Sequence, residues 1–69
     1  MRITYDAKAD AMYIEFKKGN FASNKKIDDE TIIDLDKEGN ILGIELLNVK
    51  ERIPLSSLSE LRIQKLLTA

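Results

Sequence analysis

The segment TIIDLDKEGNILGIELL, residues 31–47, consists of two runs of strand-forming residues separated by a polar turn. The first run, 31–35, is rich in β-branched residues, which are enriched in strands. The second run, 41–47, alternates between two faces at the period of a strand. Residues 36–40 between them favour a turn, and Gly39 supplies the positive φ that such a turn needs. The segment therefore predicts a β-hairpin.

Part of this hairpin, residues 34–45, also has the spacing of a calcium-binding loop. Acidic residues occupy its first, third, fifth and twelfth positions, and a glycine occupies the sixth. A calcium hand needs a helix on both sides of its loop, whereas the flanks here are poor helix formers or alternate like a strand. We therefore predict no metal site, and we assign Asp36 and Gly39 to the hairpin turn.

Two more alternating runs lie near the N-terminus. Residues 2–5 and 12–16 each place apolar side chains on one face and polar side chains on the other, which predicts a first hairpin. Asp6 and Asp10 flank its turn, where a carboxylate can accept hydrogen bonds from backbone amides. We expect both aspartates to be structural turn residues.

The fold class follows from the number of strands and their connections. A third strand over 22–28 is expected after Gly19-Asn20, a favoured pair for a hairpin turn. The five strands follow one another through short connections, so we expect an antiparallel meander. We predict a single domain, residues 1–69, of the α+β class: an antiparallel meander sheet of about five strands with one C-terminal helix packed on it.

The C-terminal part of the chain changes to the spacing of a helix. Residues 57–60, SLSE, fit a capping box, so we expect a helix over 58–67. Its apolar residues fall on two sides of the helix. One side can cover the sheet. The other side, with Ile63, Leu66 and Leu67, either contacts a partner or reflects a helix that is apolar most of the way round.

The composition restricts the chemistry open to the chain. It has 69 residues, 43% of them hydrophobic and 33% charged, a net charge of −1, and neither cysteine nor histidine. Disulfides, thiolate zinc sites and the usual general base are therefore excluded, and we predict no cofactor and no catalytic residue. Because the core of so small a domain is marginal, association is the remaining route to stability. We expect a homodimer or a bound partner.

The same features bear on location. No apolar run approaches the roughly 20 residues that a membrane span needs. The N-terminal sequence lacks the charged-then-apolar layout of a signal peptide. We expect a cytoplasmic protein with no membrane partner.

Charge is distributed unevenly along the chain. Residues 17–26 carry four lysines and no acidic residue, whereas residues 27–45 carry seven acidic residues and one lysine. The lysines could meet a phosphate backbone, or they could protect an edge strand from aggregation. We favour the second interpretation and expect no nucleic-acid partner. The acidic segment could dock a small basic partner protein.

The aromatic residues divide between core and surface. We expect Tyr5 and Phe16 in the core, because each shares the apolar face of its strand. We expect Tyr13 and Phe21 to be exposed, and we take them as candidate contacts for a partner.

Four carboxylates form the one candidate for a catalytic group, those of Asp6, Asp10, Asp34 and Glu45. Two carboxylates can perform general acid–base catalysis when one of them is held in a dry pocket. We interpret the four as turn caps and solvated side chains. The alternative is a small ligand-binding domain or a carboxylate-based enzyme.

Two blocks of sequence and a short helical tail resemble a known family. YDAKADAMYIEF at 5–16 and IDLDKEGNILGIELL at 33–47 are similar to the small prokaryotic proteins grouped as domain of unknown function 2283. Met12 replaces the usual leucine, and NVKERIP at 48–54 replaces an Ala-Ser pair. The resemblance implies no activity and no catalytic residue. It does imply similarity to small proteins encoded beside toxin-like proteins, and hence an antitoxin-like role. Together with the association expected from the small size of the chain, this predicts a non-enzymatic, self-associating interaction module.

Overall fold

The structure, a computed structural model, describes residues 1–65 as one five-stranded sheet followed by two short helices. The strands are β1 (Arg2–Asp6), β2 (Ala11–Glu15), β3 (Ser23–Asp28), β4 (Thr31–Leu35) and β5 (Ile41–Leu46). The helices are α1 (Val49–Arg52) and α2 (Leu55–Leu58). All pairings between strands are antiparallel. The predicted α+β class and the five-stranded antiparallel sheet are therefore confirmed.

The spatial order of the strands is β1-β2-β5-β4-β3. Strands β3, β4 and β5 form a meander, and the β1–β2 hairpin joins it along β5. Residues 16–22 run from β2 to β3 across the ends of β5 and β4, where the Phe16 amide donates to the Leu42 carbonyl at 2.8 Å. The predicted hairpin turn at Gly19-Asn20 is therefore wrong. The apolar strand β5 takes the centre, and β3, which carries two lysines, takes an edge.

The register gives the sheet two faces of different character, since residues opposite each other in a ladder share a face. The apolar face carries Ile3, Tyr5, Met12, Ile14, Ile33, Ile44 and Leu46. The polar face carries Arg2, Thr4, Asp6, Tyr13, Glu15, Asp34 and Glu45.

Helix α1 packs where the β1–β2 and β3–β4 turns approach the end of β5. The Lys50 amide donates to both carboxylate oxygens of Asp10, at 3.2 and 3.3 Å. The Arg52 guanidinium donates to the Glu30 carbonyl and, at 2.8 Å, to the Thr31 hydroxyl. Val49 is fully buried by this arrangement. One helical turn therefore connects two hairpins.

The predicted helix over 58–67 is wrong for the residues that the structure describes. The helical turns lie earlier in the chain, and residues 60–65 contain no helix. The Ser57 amide donates to the Pro54 carbonyl at 2.9 Å, so Ser57 lies inside α2 and does not cap a later helix. Glu60 pairs with Arg62 at 2.6 Å and does not complete a capping box. Pro54 precedes α2, and its fixed φ favours the start of a helix at that point. Helix α2 therefore begins at Leu55, three residues before the start that the serine pattern predicts.

The core is thin. Within the described residues only two apolar side chains are buried, those of Leu42 and Val49, with 5% and 0% of their surfaces exposed. Tyr5 and Phe16 are each 38% exposed, so their predicted place in the core is wrong. The reason is that a single sheet layer is covered on its apolar face by only two short helices. No helix in residues 1–65 is long and apolar enough to cross a membrane.

Candidate functional site

An open groove lies on the apolar face, between β1, β2 and the segment that follows α1. Its volume is about 420 Å³. The wall formed by the sheet consists of Ile3, Tyr5, Met12 and Ile14, and the facing wall consists of Ile53, Ser57, Leu58 and Leu61. Seven of these eight side chains are apolar or aromatic, and the remaining one is a serine. The groove can therefore accept an apolar surface and has little means of orienting a charged ligand.

Two of the predicted partner contacts are exposed but lie apart. Ile63 is 78% exposed and follows the groove residue Leu61 in the chain. Phe21 is 60% exposed and borders a depression together with Tyr13 and Asp34 of the polar face, so it is not part of the groove. Phe21 and Ile63 are thus placed where a partner could contact them. Leu66 and Leu67, the other two predicted contacts, lie outside the described residues.

Tyr13 occupies the centre of the polar face and is half-buried, so the prediction that it is exposed is wrong. Its ring lies over Gly43: a Cβ atom added at that glycine would lie 2.6 Å from the ring carbon Cζ. Burial and then the charge of Asp34 raise the pKa of Tyr13. The phenol therefore remains protonated at neutral pH and can donate toward Asp34. Glycine in a strand permits this close approach.

The four candidate carboxylates do not converge. Glu45 and Asp6 line one shallow depression of about 380 Å³ on the polar face. Asp34 lines a second depression with Glu15, and the Tyr13 side chain borders both. Asp10 lies elsewhere, against α1. The described part of the chain contains no group of three side chains that could hold a metal ion.

A comparison with models of protein families shows the family of this chain. The model of the family described as "Protein of unknown function (DUF2283)" matches residues 2–50. The chain belongs to this family. No curated protein and no solved structure matches it. The DUF2283 match covers the sheet and ends within α1, so Ile53, Leu58 and Leu61 of the groove lie beyond the matched segment.

The predicted turn aspartates of this DUF2283 chain accept backbone amides. The Asp6 carboxylate accepts from the Lys8 amide at 3.0 Å and from the Ala9 amide at 3.2 Å. Asp10 adopts a positive φ of 52°, which aspartate tolerates better than most residues. It also accepts the Tyr5 hydroxyl at 2.7 Å, and this hydrogen bond raises the pKa of Tyr5.

The segment with the spacing of a calcium-binding loop forms the hairpin turn between β4 and β5. One oxygen of the Asp36 carboxylate accepts the amides of Glu38 and Asn40, at 3.0 and 2.8 Å. Gly39 adopts a φ of 86°. The acidic side chain that a calcium ion would need is thus engaged with its own turn.

The lysines of residues 17–26 do not form one cationic surface. Lys25 lies opposite Ile33 and Lys26 lies opposite Ile32, so their side chains leave opposite faces of β3. Lys26 also pairs with Asp29 at 3.6 Å. Because β3 is an edge strand, this arrangement fits the role of protecting an edge.

Four residues that hold α1 or Tyr13 in place are not predicted from the sequence: Glu30, Gly43, Asn48 and Arg52. A signal for α1 exists, because Asn48 and Glu51 have the spacing of a capping box and Pro54 follows as a stop. In the structure the Asn48 side chain instead donates to the Glu30 carboxylate. The part that Arg52 plays depends on two turns that are distant in sequence, so no local pattern predicts it.

Proposed function

We propose that this chain is a non-enzymatic interaction module that self-associates through its apolar face. The observation that carries the proposal is the open groove together with the thin core. Ile3 and Tyr5 form one wall of the groove and remain 36% and 38% exposed. A second apolar surface in the groove would remove these side chains from water.

The energetic argument concerns the size of the domain. A chain of about 60 residues buries only about 60% of the surface that its unfolded form exposes, so its stability is marginal. Each buried leucine or isoleucine side chain contributes about 1.5–3 kcal/mol relative to full exposure. A dimer that covered Leu61 and the adjoining wall would therefore add a substantial fraction of the total stability.

The charge of the polar face supports a second partner. Glu15, Asp34 and Glu45 lie on that face around Tyr13. Negative charge on one face favours encounter with a positively charged surface. We therefore propose that the dimer also binds a small basic protein, which in an antitoxin-like role would be a toxin-like protein.

The groove is tested by comparing two exposed leucines. Leu61 lines the groove and is 68% exposed, while Leu55 does not line it and is 77% exposed. Sedimentation velocity should show that Leu61→Ser weakens the dimer by about tenfold or more, whereas Leu55→Ser should leave its dissociation constant nearly unchanged. Equal effects of the two substitutions would remove the groove from the interface. A wild-type chain that sediments as a monomer would contradict the proposal itself.

The basic partner is tested by affinity capture from the source cell after a moderate-salt wash. A small basic protein should be retained in stoichiometric amount by the wild-type chain and lost with Glu45→Lys. Leu55→Ser, which leaves the polar face intact, should retain it. Retention by Glu45→Lys would remove the polar face from the contact.

The alternative is a ligand-binding domain or a carboxylate-based enzyme on the polar face. The depression shared by Asp6 and Glu45 favours it. Against it, one oxygen of Asp6 already caps the first turn. A thermal-shift screen of small cationic and sugar ligands, repeated with Glu45→Gln, separates the two functions: a ligand-induced shift that the variant abolishes would support the alternative.

A further inference from the structure

The two edges of the sheet differ in how they are protected. Edge strand β3 carries Lys25 and Lys26, and its register shifts between Lys26 and Asp28. Lysines and bulges are devices that prevent an edge from pairing with another chain. Edge strand β1 has neither: it contains no lysine, and its pairing with β2 is regular from Arg2 to Asp6. In the described part of the chain β1 pairs with β2 alone.

The sequence of β1, RITYD, is complementary to itself. When two copies are laid antiparallel with Thr4 opposite Thr4, Arg2 of each copy falls opposite Asp6 of the other. Ile3 of each copy then falls opposite Tyr5 of the other. An opposite-charge pair, an aromatic–β-branched pair and a threonine pair are all favourable across antiparallel strands.

We propose that a second copy of this chain pairs with β1 along this edge, antiparallel and with the two Thr4 residues opposite each other. This inference rests on the proposed self-association and specifies the surface that performs it. The two sheets then continue as one sheet of ten strands. The two copies are related by a two-fold axis that passes between the two Thr4 residues. Two-fold symmetry is the commonest symmetry of homo-oligomers.

The side chains of β1 can make these contacts. The Arg2 side chain is 70% exposed, and its pair with Glu15 is 3.6 Å long, so the guanidinium can also reach a carboxylate on its other side. Asp6 uses only its Oδ1 atom for the turn amides, which leaves Oδ2 for Arg2 of the second copy. The strand is exposed along its whole length.

Other registers lose this complementarity. Moving the axis to Tyr5 places Arg2 opposite Lys8 of the second copy, which opposes like charges. Moving it to Ile3 leaves Asp6 without the arginine. A shift by one residue turns the apolar face of one copy toward the polar side of the other. The charge pattern therefore selects the register at Thr4.

The same register brings the two apolar grooves together. A two-fold axis perpendicular to the sheet keeps both apolar faces on one side. Ile3 and Tyr5, which form a wall of each groove, then lie against Tyr5 and Ile3 of the other copy. The edge contact thus places the two grooves side by side and forms one apolar surface across both copies.

Cysteine cross-linking tests the register, because the chain contains no cysteine. Residues opposite each other on antiparallel strands have Cα atoms about 4.5–5.5 Å apart, which lies in the range that a disulfide spans. Thr4→Cys should therefore form an intermolecular disulfide rapidly on mild oxidation. The matched control is Asn24→Cys, which lies on the polar face of the other edge strand, and it should cross-link at least about tenfold more slowly.

The outcomes separate this inference from the proposed function. If the wild-type chain sediments as a dimer but Thr4→Cys does not cross-link faster than Asn24→Cys, self-association stands and the β1 register is wrong. If the wild-type chain is a monomer and neither variant cross-links, both proposals fail.

Charge reversal provides a second test, which does not require a disulfide. Arg2→Glu places an acidic side chain opposite Asp6 of the second copy at both ends of the interface. Its dimer should be about tenfold weaker or worse, with circular dichroism confirming a folded chain. The control Lys26→Glu loses an ion pair of the same length on the other edge, with Asp29 at 3.6 Å. A dimer that Lys26→Glu weakens as much as Arg2→Glu would overturn the assignment.

Discussion

At the scale of single residues, the three hairpin turns share one device. In each, an aspartate accepts the backbone amide two residues further along: Asp6 from Lys8, Asp28 from Glu30, and Asp36 from Glu38. Such a bond holds the turn because it satisfies an amide that the ladder leaves unpaired. This much is local chemistry, which is why the sequence alone predicts Asp6 and Asp36 as turn residues.

Acid should weaken two of these turns, those held by Asp28 and Asp36. Backbone amides, from Glu30 to Asp28 and from Asn40 to Asp36, hold the pKa of both carboxyls below the usual range. The unfolded chain therefore takes up protons first on acidification, and the free energy of unfolding falls as the pH drops below about 4. Above that pH the contribution is fully present. Urea unfolding at a series of pH values should show this loss, and Asp36→Asn should show a shallower one. If the free energy of unfolding fell equally steeply with pH in the wild-type chain and in Asp36→Asn, Asp36 would not contribute to the acid sensitivity.

A second prediction concerns the close contact between Tyr13 and Gly43. A methyl group at position 43 would lie 2.6 Å from the tyrosine ring and 2.7 Å from the Ile14 carbonyl oxygen. Gly43→Ala should therefore destabilise the chain by about 1–3 kcal/mol, as overpacking does in other cores. Urea unfolding measures this.

The control for Gly43→Ala replaces the ring. Tyr13→Ala alone removes packing, but combined with Gly43→Ala it should recover part of the loss, because the two residues touch. Strictly additive effects would show that the tyrosine does not occupy the space above Gly43.

At the scale of elements, α1 connects the two hairpins that flank β5. Asp10 accepts its first amides from one side, and Arg52 donates to the β3–β4 turn from the other. A helix of four residues is far too short to be stable by itself. It exists because these distant partners satisfy its ends.

Replacing Arg52 tests this connection. Arg52→Ala should lower the free energy of unfolding by about 1–2 kcal/mol, because up to three hydrogen bonds from a charged group are lost. Arg52→Lys should recover little, since a lysine cannot reproduce the fork of donors. Arg62→Ala, whose side chain is 79% exposed, is the matched control and should have almost no effect. If Arg52→Ala and Arg62→Ala lowered the free energy of unfolding equally, the hydrogen bonds of Arg52 would not stabilise the connection between the hairpins.

The elements also show what the sequence can predict. Strands β1, β2 and β5 follow from alternation, and β4 follows from its β-branched residues; both patterns act over a few positions. Strand β3 does not alternate, and its prediction depends on a hairpin turn at Gly19-Asn20 that the structure does not contain. The order of the strands does not follow from these patterns, because alternation in β2 is the same whether its neighbour is β3 or β5. Helix α1 escapes prediction for a different reason: a one-turn helix depends on partners such as Asp10, which is 40 residues from Lys50 in the chain. The groove is not predicted from the sequence either, because one of its walls follows α1.

At the scale of the whole molecule, the central claim is that a second copy completes the fold. The described chain buries only two apolar side chains, Leu42 and Val49, and it leaves an apolar groove open beside edge strand β1, which has neither a lysine nor a bulge. Exposed apolar patches of this kind mark interaction surfaces. If association and folding are coupled, stability must depend on protein concentration.

The most direct test is therefore urea unfolding of the unaltered chain, 7.9 kDa in mass, at two concentrations about a hundredfold apart. If folding requires a dimer, mass action adds about 2.7 kcal/mol over that range and the midpoint should rise by about 1 M urea. A midpoint that does not change with concentration would mean that each chain folds alone, and it would contradict the account.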